Sequence, residues 1–300
     1  MGAGSNPCYS AAVMRILFIT SNRLGDAVLS TGLLDHLIRA RPRASITVVC
    51  GPVAADLFLR MPNRAATLVM RKQPWGLHWL SLWFAAAPNW WDLVVDVRGS
   101  ALAWMVPTRR RAVFRRRGGP KTTELAAMLG LSPPPRPVAW FNDADAARVT
   151  TLVPAGLRFI ALAPTANWAP KAWPPERFAA AFHALAEPGT SAVILGGPGD
   201  AERSMAAPLA AALPDAINLV GQLTLPEVSA CLARAHLFIG NDSGLMHMAA
   251  AAGAPTIGLF GPTDATVYGP AGRSAVAVKA DDMAALSVDQ VVRAAADILR

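Results

Sequence analysis

Short apolar runs alternate with amphipathic stretches along the first third of the chain. Residues 15–20 and 46–50 are apolar runs too short for helices, and each ends in a turn of polar or Gly-Pro residues. Between them, apolar residues over 27–39 recur at the spacing of one helical face. Further strands are predicted at 67–70 and 92–99. Strands so uniformly rich in Val, Ile and Leu are typical of a parallel sheet that helices cover on both faces.

The same alternation restarts after a proline-rich stretch at 132–137, which predicts an interdomain linker. Six strands, mostly separated by helices, are predicted beyond it, at 159–164, 191–197, 217–221, 236–241, 255–261 and 275–280. The sequence therefore predicts two α/β domains, over 14–155 and 156–300, with the last helix, at about 287–299, free to pack back on the first domain. Residues 1–13 are expected to form a disordered extension, which makes Met14 a candidate start of translation.

The composition excludes a disordered chain and leaves the partner open. Apolar residues make up 53% of the 300 residues and charged residues 16%. The formal net charge of +8 suggests an anionic partner, and nucleic acid, a phospholipid surface and a phosphorylated small molecule all fit. Cys8, Cys50 and Cys231 are odd in number and far apart, which indicates a reducing, cytosolic compartment. The sequence contains no uninterrupted apolar stretch of 18 residues, so no transmembrane helix is predicted.

The strongest local motif lies at 238–263, where a predicted strand ends at Gly240 and a helix follows. The side chains placed to cap that helix are those of Asn241, Asp242 and Ser243. Unpaired N–H groups at a helix start, together with the helix dipole, bind anions. Gly244 would let a phosphate approach the backbone, and His247, one turn further on, would offer a second donor. An ordinary capped helix explains the same spacing.

Three other loops follow predicted strands, where ligands of open α/β sheets bind. The first contains Arg23, Gly25 and Asp26, and its carboxylate serves either as a general base or as a helix cap, the commoner role. Lys171, in a loop rich in Pro and Trp, is either a phosphate-binding charge or a solvated side chain. The turn that ends at Asp200 either borders a nucleotide or is an ordinary tight turn without a ligand. The chain contains no G-x-G-x-x-G and no P-loop motif, which disfavours a dehydrogenase and a P-loop NTPase.

Two further segments concern the partner. Six arginines fall within nine residues, which suits a phosphorylated glycolipid or an anionic membrane surface better than solubility alone: Arg109, Arg110, Arg111, Arg115, Arg116 and Arg117. The segment 74–91 is rich in tryptophan, and three of its tryptophans are four residues apart on one helical face: Trp75, Trp79 and Trp83. Core packing is the commoner role of such residues, and an in-plane amphipathic segment is the alternative. The D-x-D motif at 143–145 is interpreted as part of a capped surface helix.

Taken together, these motifs resemble glycosyltransferase family 9, the heptosyltransferase-type enzymes of lipopolysaccharide inner-core assembly. Over residues 14–300, three segments carry the resemblance: RILFITSNRLGDAVLSTGLLDHLIRARP, PTANWAPKAWPPERF and FIGNDSGLMHMAAAAGAPTIGLFGPTD. The resemblance implies an α/β GT-B fold, in which two Rossmann-like domains with parallel sheets face each other across a cleft. It also implies inverting, metal-independent transfer of a sugar, usually heptose from ADP-heptose, to a phosphorylated glycolipid of the lipopolysaccharide core.

The resemblance also implies roles for single residues. Asp26 matches the catalytic base and Lys171 the diphosphate-binding lysine. The other positions that the resemblance assigns to donor binding are Gly25, Thr165, Asp200, Asp242, Ser243, Gly244 and His247. Arg23 and the six arginines of 109–117 are assigned to the acceptor or another anionic partner. The family implies no metal, no cofactor and no nucleic-acid partner, and a cytoplasmic enzyme that contacts the inner membrane at most peripherally. Another nucleotide-sugar donor in surface-glycan assembly, and a non-catalytic protein that binds nucleotide sugars, remain as alternatives.

Overall fold

The computed structural model describes residues 13–300, so the prediction of a disordered extension falls almost wholly outside the described residues. The first sheet has five parallel strands in the order β3-β2-β1-β4-β5. Their bounds are β1 Arg15–Ile19, β2 Ser45–Cys50, β3 Arg64–Val69, β4 Trp91–Asp96 and β5 Thr108–Val113. The central strand β1 is buried except at its first residue, because both faces of the sheet are covered.

Five α-helices and two 3-10 turns accompany this sheet and the segment that leaves it. The helices are α1 Leu24–Ala40, α2 Leu77–Ala86, α3 Leu102–Met105, α4 Lys121–Ala127 and α5 Asp143–Thr150. The 3-10 turns span Pro52–Phe58 and Pro74–Gly76. The sequence pattern did not identify β5, because arginines occupy three of its six positions, which an edge strand tolerates.

The second sheet has six parallel strands in the order β11-β10-β9-β6-β7-β8. The strands are β6 Phe159–Ala163, β7 Ser191–Ile194, β8 Ile217–Asn218, β9 Leu237–Asn241, β10 Thr256–Phe260 and β11 Ala275–Lys279. The helices are α6 Pro175–Leu185, α7 Asp200–Ala212, α8 Leu225–Ala233, α9 Gly244–Ala252, α10 Ala265–Tyr268 and α11 Val288–Leu299, and a 3-10 turn spans Ala169–Lys171. The predicted alternation of strands and helices is confirmed here nearly element by element.

The apolar core joins the two domains on one side of the first sheet only. One cluster combines first-domain residues such as Phe18 and Leu33 with second-domain residues such as Phe238 and Met246, and α1 packs directly on α9. A separate cluster on the other side of the first sheet holds residues from first-domain strands and from α2 and α3. The two sheets therefore meet through α1 and α9, and the outer face of the first sheet is remote from the second domain.

Of two helices near the domain bounds, α5 packs outside its predicted domain and α11 stays within its own. Although α5 lies before residue 156, it packs on α8 of the second domain, and Arg234 donates to the carbonyl oxygens of Val153 and Pro154 at 3.0 and 2.7 Å. The last helix α11 packs on α6, β10 and β11 through its apolar stripe, so the option that it returns to the first domain is wrong. No helix of residues 13–300 is both long enough and apolar enough to cross a membrane.

Candidate active site

Asp26 lies in the first turn of α1, directly after the carboxyl end of β1. The backbone N–H of Arg23 donates to Ser21 Oγ at 3.1 Å, and that hydroxyl is 3.4 Å from Asp26 Oδ2. The helix begins after Arg23 without any side-chain cap, so the capping alternative for Asp26 is not realised. The half-buried carboxylate instead faces the junction between the domains, on the side of His247.

The start of α9 is not capped either, contrary to the expectation for Asn241, Asp242 and Ser243. The Asn241 amide accepts from Trp173 N at 3.0 Å and donates to the Pro164 carbonyl at 2.8 Å, which fixes the loop after β6. The Asp242 carboxylate contacts a lysine, and the buried Ser243 hydroxyl finds no partner among the described residues. The first N–H groups of α9 and this hydroxyl are thus left for an anionic ligand.

Lys171 is held in place rather than solvated. Its ammonium nitrogen lies 2.5 Å from Asp242 Oδ2, with side chains 19% and 9% exposed. Lys171 ends a 3-10 turn, and the buried Trp173 anchors that turn by donating its indole N–H to the Leu286 carbonyl at 2.9 Å. A carboxylate does not itself attract a phosphate, so Asp242 acts here by orienting Lys171 toward the start of α9.

His247 lies on α9, buried at the domain junction, with Nδ1 unpaired among the described groups. Burial lowers the pKa of His247 to about 4, with the positive charge of Lys171 adding to the effect and Asp242 and Asp26 opposing it. The ring is therefore neutral at pH 7 and offers one N–H donor. Its pKa rises when an anion binds beside it, since a nearby negative charge favours the protonated form.

Two glycines let the domains approach each other at this point. A Cβ on Gly25 would lie 2.9 Å from His247 Cδ2, and a Cβ on Gly244 would lie 2.8 Å from the Leu24 side chain. The lack of a side chain at Gly244 is thus required for packing against Leu24 of the other domain, and the expected approach of a phosphate to this glycine stays a prediction. Because of this contact, Asp26 lies close enough to His247 for its negative charge to act on the pKa of the histidine.

Lys121 is a site residue that the sequence interpretation missed. It begins α4, its ammonium lies 3.6 Å from the centre of the Phe114 ring, and burial lowers its pKa while the negative charge of Asp26 raises it. Lys121 is therefore a partly desolvated cation near the candidate base. The only sequence signal for it is its position at a helix start after Gly-Gly-Pro, which carries no chemical information.

The six arginines do not form one patch. Arg109 and Arg110 lie at the amino end of β5 and line a shallow pocket with Met14 and Asp92, while Arg111 donates to the carbonyl oxygens of Ala103 and Val106. The other three arginines, Arg115, Arg116 and Arg117, follow the carboxyl end of β5, on the same edge of the sheet as Asp26. Because an extended strand rises about 3.3 Å per residue, Arg109 and Arg110 lie about 20 Å from the group Arg115–Arg117.

Glu124 fixes the second arginine group. Its carboxylate accepts from the backbone N–H groups of Arg117 and Gly118 at 2.7 and 2.8 Å. Burial by itself raises the pKa of Glu124, but these hydrogen bonds and the charges of Lys121 and Arg116 bring that pKa below its ordinary value. Glu124 therefore stays ionised and holds the loop beside Lys121. Arg115–Arg117 and Arg23 are exposed near the edge of the sheet where Asp26 lies.

Asp200 lies at the protein surface. It begins α7, is almost fully exposed and pairs with Arg203 at 2.6 Å. Glu202 on the same helix instead accepts from Gly197 N–H and lies 3.3 Å from the hydroxyl of the buried Thr165. The carboxylate directed at the carboxyl end of β6 is therefore that of Glu202, which the sequence pattern did not distinguish from its neighbour Asp200.

The D-x-D motif has no metal-binding geometry. Asp145 pairs with Arg60 at 2.9 Å and forms a capping box with Asn142, which confirms the capped helix but buries one carboxylate of the motif. Within residues 13–300, no group of three or more His, Cys, Asp or Glu side chains is arranged to hold a metal ion.

The sequence model of glycosyltransferase family 9 (heptosyltransferase) matches residues 106–294, which include Lys121, Lys171, Asp242 and His247. The chain belongs to glycosyltransferase family 9. It is 27% identical over 308 residues to lipopolysaccharide heptosyltransferase 1 of Pseudomonas aeruginosa, covering 89% of this chain and 84% of that protein. A shorter match, 35% identical over 117 residues, relates 38% of the chain to lipopolysaccharide heptosyltransferase 3 of Escherichia coli and spans about a third (34%) of that relative.

The family resemblance extends to the fold. The structure of the E. coli ADP-heptose lipopolysaccharide heptosyltransferase II superimposes with a TM-score of 0.76 at 20% identity, covering 95% of this chain and 98% of that one. Two parallel-sheet domains that meet at the carboxyl ends of their strands form the GT-B fold, as the resemblance implied. The family 9 chain is thus a glycosyltransferase whose candidate site lies where α1 meets α9.

Proposed function

We propose that this family 9 enzyme transfers heptose from ADP-heptose to a phosphorylated glycolipid of the lipopolysaccharide core, with inversion and without a metal ion. The observation that carries the proposal is the position of Asp26, which lies beside the uncapped start of α9, the buried His247 and the Lys171–Asp242 pair. The candidate base and the candidate anion site thus lie at the same junction between the domains. The similarity to lipopolysaccharide heptosyltransferase 1 and to the ADP-heptose lipopolysaccharide heptosyltransferase II supports heptose as the sugar and ADP-heptose as its donor.

Asp26 would accept the proton of the acceptor hydroxyl as that oxygen attacks the anomeric carbon. General-base catalysis contributes about 10²–10⁴-fold. Attack by the hydroxyl on the face opposite the departing diphosphate inverts the configuration. The ammonium of Lys121 interacts electrostatically with the Asp26 carboxylate and would help to hold it in position.

The leaving nucleoside diphosphate gains negative charge as the glycosidic bond breaks. Lys171, the neutral His247 ring and the free N–H groups of α9 would stabilise that charge electrostatically. These groups supply the stabilisation that a metal ion supplies elsewhere, so we expect the transfer rate to be unchanged by a chelator. On the acceptor side, Arg115, Arg116 and Arg117 are the exposed cations nearest the Asp26 edge.

The first test compares nucleoside diphosphates by thermal unfolding of the purified chain. ADP at about 100 times its dissociation constant adds about 2.7 kcal/mol and raises the unfolding midpoint by several degrees. We expect this shift with ADP and little or none with UDP, GDP or dTDP. A shift with another nucleotide alone would replace the donor, and no shift with any of them would favour a protein that has lost donor binding.

The second test replaces the base. Asp26→Asn is expected to lower kcat by at least about a hundredfold while the ADP shift stays nearly unchanged. Asp35→Asn is the matched control, since Asp35 lies on the same helix and pairs with Arg39 at the surface. The configuration of the product at the new linkage, read by NMR, tests inversion. Wild-type turnover in Asp26→Asn would remove Asp26 from the role of base.

A further inference from the structure

An exposed apolar surface covers the outer side of the first domain. We call it the Trp75 face, and its members are Trp75, Leu77, Leu80, Phe84, Trp104 and Met105, which are 49–98% exposed. The three α2 residues among them are spaced i, i+3 and i+7 and share one side of the helix. Trp83 joins α2 to α3 by donating its indole N–H to the Met105 carbonyl at 3.0 Å. The two helices thus present one continuous surface.

The expected helical face of Trp75, Trp79 and Trp83 is not the exposed one. Trp79 and Trp83 pack against the first-domain core, while Trp75 precedes α2 in the 3-10 turn. Trp75 is 98% exposed and takes a left-handed φ of 56°. That conformation is strained in a residue other than glycine. Neither the conformation nor the exposed indole ring stabilises the fold, which points to an external contact.

Charge is distributed unevenly around this face. The first domain, 14–155, contains nineteen Lys or Arg and eight Asp or Glu, whereas the second domain, 156–300, contains nine Lys or Arg and twelve Asp or Glu. Arg71 and Lys72 are exposed just before Trp75, and the Arg111 guanidinium lies 5.6 Å from the centre of the Trp104 ring. The apolar surface is therefore bordered by cations.

We infer that the Trp75 face docks on the surface of an anionic phospholipid bilayer. Tryptophan and other large apolar side chains enter the boundary between headgroups and acyl chains, and neighbouring Lys and Arg attract anionic headgroups. A second copy of this chain would also cover apolar area. A two-fold contact, however, sets the same surface against itself, and here it would bring like charges together.

The face is also connected to the candidate active site. The Arg98 guanidinium lies 5.3 Å from the centre of the Trp79 ring and donates to Asn22 Oδ1 at 3.4 Å, in the loop that leads to Asp26. Docking through the Trp75 face would hold this loop close to the bilayer surface, where a lipid-borne acceptor presents its sugars. The inference goes beyond the proposed function, because binding to vesicles requires neither donor nor transfer.

The test is co-sedimentation of the full chain with vesicles of phosphatidylcholine alone or mixed with phosphatidylglycerol. We expect the chain to bind the anionic vesicles at least about tenfold more tightly. The variant Trp75→Ser/Leu80→Gln/Phe84→Gln should lose at least about tenfold of that binding. Val53→Gln/Leu299→Gln, which changes exposed apolar residues elsewhere, should bind as wild type does. Unfolding midpoints without ligand show that each variant folds.

A second pair of variants tests the charges. Arg71→Glu/Lys72→Glu should weaken binding to anionic vesicles and flatten its salt dependence, since each cation near the surface contributes about fivefold. Arg273→Glu/Arg293→Glu, in the second domain, is the charge-matched control. Failure of the wild-type chain to bind, or equal binding by the apolar variant, would overturn the inference. So would a concentration-dependent dimer that the apolar variant abolishes, since this would assign the face to a second copy.

Discussion

Lys171 and Asp242 illustrate how single residues of the site depend on each other. The pair is mostly buried, so removing the ammonium leaves a carboxylate without its partner next to the expected diphosphate. Lys171→Met should therefore weaken ADP binding by about tenfold to a hundredfold, since a hydrogen bond to a charged group contributes about 1.5–3 kcal/mol. Adenosine, which lacks phosphates, should bind nearly as to wild type. Titration calorimetry measures both affinities.

The double variant Lys171→Met/Asp242→Asn separates the two residues. If Asp242 acts only by orienting Lys171, removing its charge as well should restore part of the ADP affinity, because the unpaired carboxylate no longer repels the phosphates. Equal losses for ADP and adenosine in Lys171→Met would contradict the diphosphate role of the lysine.

At the scale of the element, α9 carries a buried histidine whose protonation opposes folding. The pKa of His247 is about 4 in the folded chain, against about 6.5 for an unperturbed histidine. Between these values the unfolded chain binds the proton and the folded chain does not, so stability is lost as the pH falls from about 6.5 toward 4. On going from pH 7 to pH 5, His247 should contribute a loss of about 2 kcal/mol.

Urea unfolding at the two pH values measures this loss. His247→Gln, which cannot titrate in this range, should lose about 2 kcal/mol less than the wild-type chain between pH 7 and pH 5. The same pH dependence in both proteins would show that the histidine is not kept neutral by burial.

The contact of α1 with α9 is the second prediction at this scale. In Gly244→Ala the new methyl group would lie 2.8 Å from the Leu24 side chain, so one helix must move. Overpacking of this kind costs about 1–3 kcal/mol. Leu24→Ala should relieve most of that cost when combined with Gly244→Ala, and a double-mutant cycle of unfolding free energies measures the coupling. Additive effects of the two changes would mean that the residues do not contact each other in solution.

At the scale of the whole molecule, the arginines lie in two separate groups. We therefore expect substitutions in the two groups to affect the KM of a water-soluble acceptor fragment unequally. Replacing Arg115, Arg116 and Arg117 by Gln should raise the acceptor KM and flatten its dependence on salt, since exposed charges near the Asp26 edge act through screened attraction. Arg109→Gln/Arg110→Gln is the matched control and should leave both unchanged. Steady-state kinetics over a range of salt concentrations tests this. Equal effects of the two sets would contradict the separation.

The apolar periodicity of this chain determined most strands and helices, because strands buried on both faces leave continuous Val, Ile and Leu runs. The motif around Asp242 and His247 likewise indicated an anion site, since a strand end, polar residues and a helix start are local features. β5 was not predicted as a strand, because arginines occupy half of its positions, and for α2 the sequence showed helical spacing of tryptophans without deciding between core packing and an exposed segment.

Contacts between distant segments were decided only by the tertiary structure. The pairing of Asp242 with Lys171, the nearness of Lys121 to Asp26 and the packing of Leu24 on Gly244 join residues 71 to 220 positions apart, and no local pattern encodes them. The same holds for the choice between Asp200 and Glu202, since two residues of one helical turn point to different sides of the helix. The sequence by itself therefore determined the architecture and the kind of chemistry, whereas long-range packing decided which side chains meet.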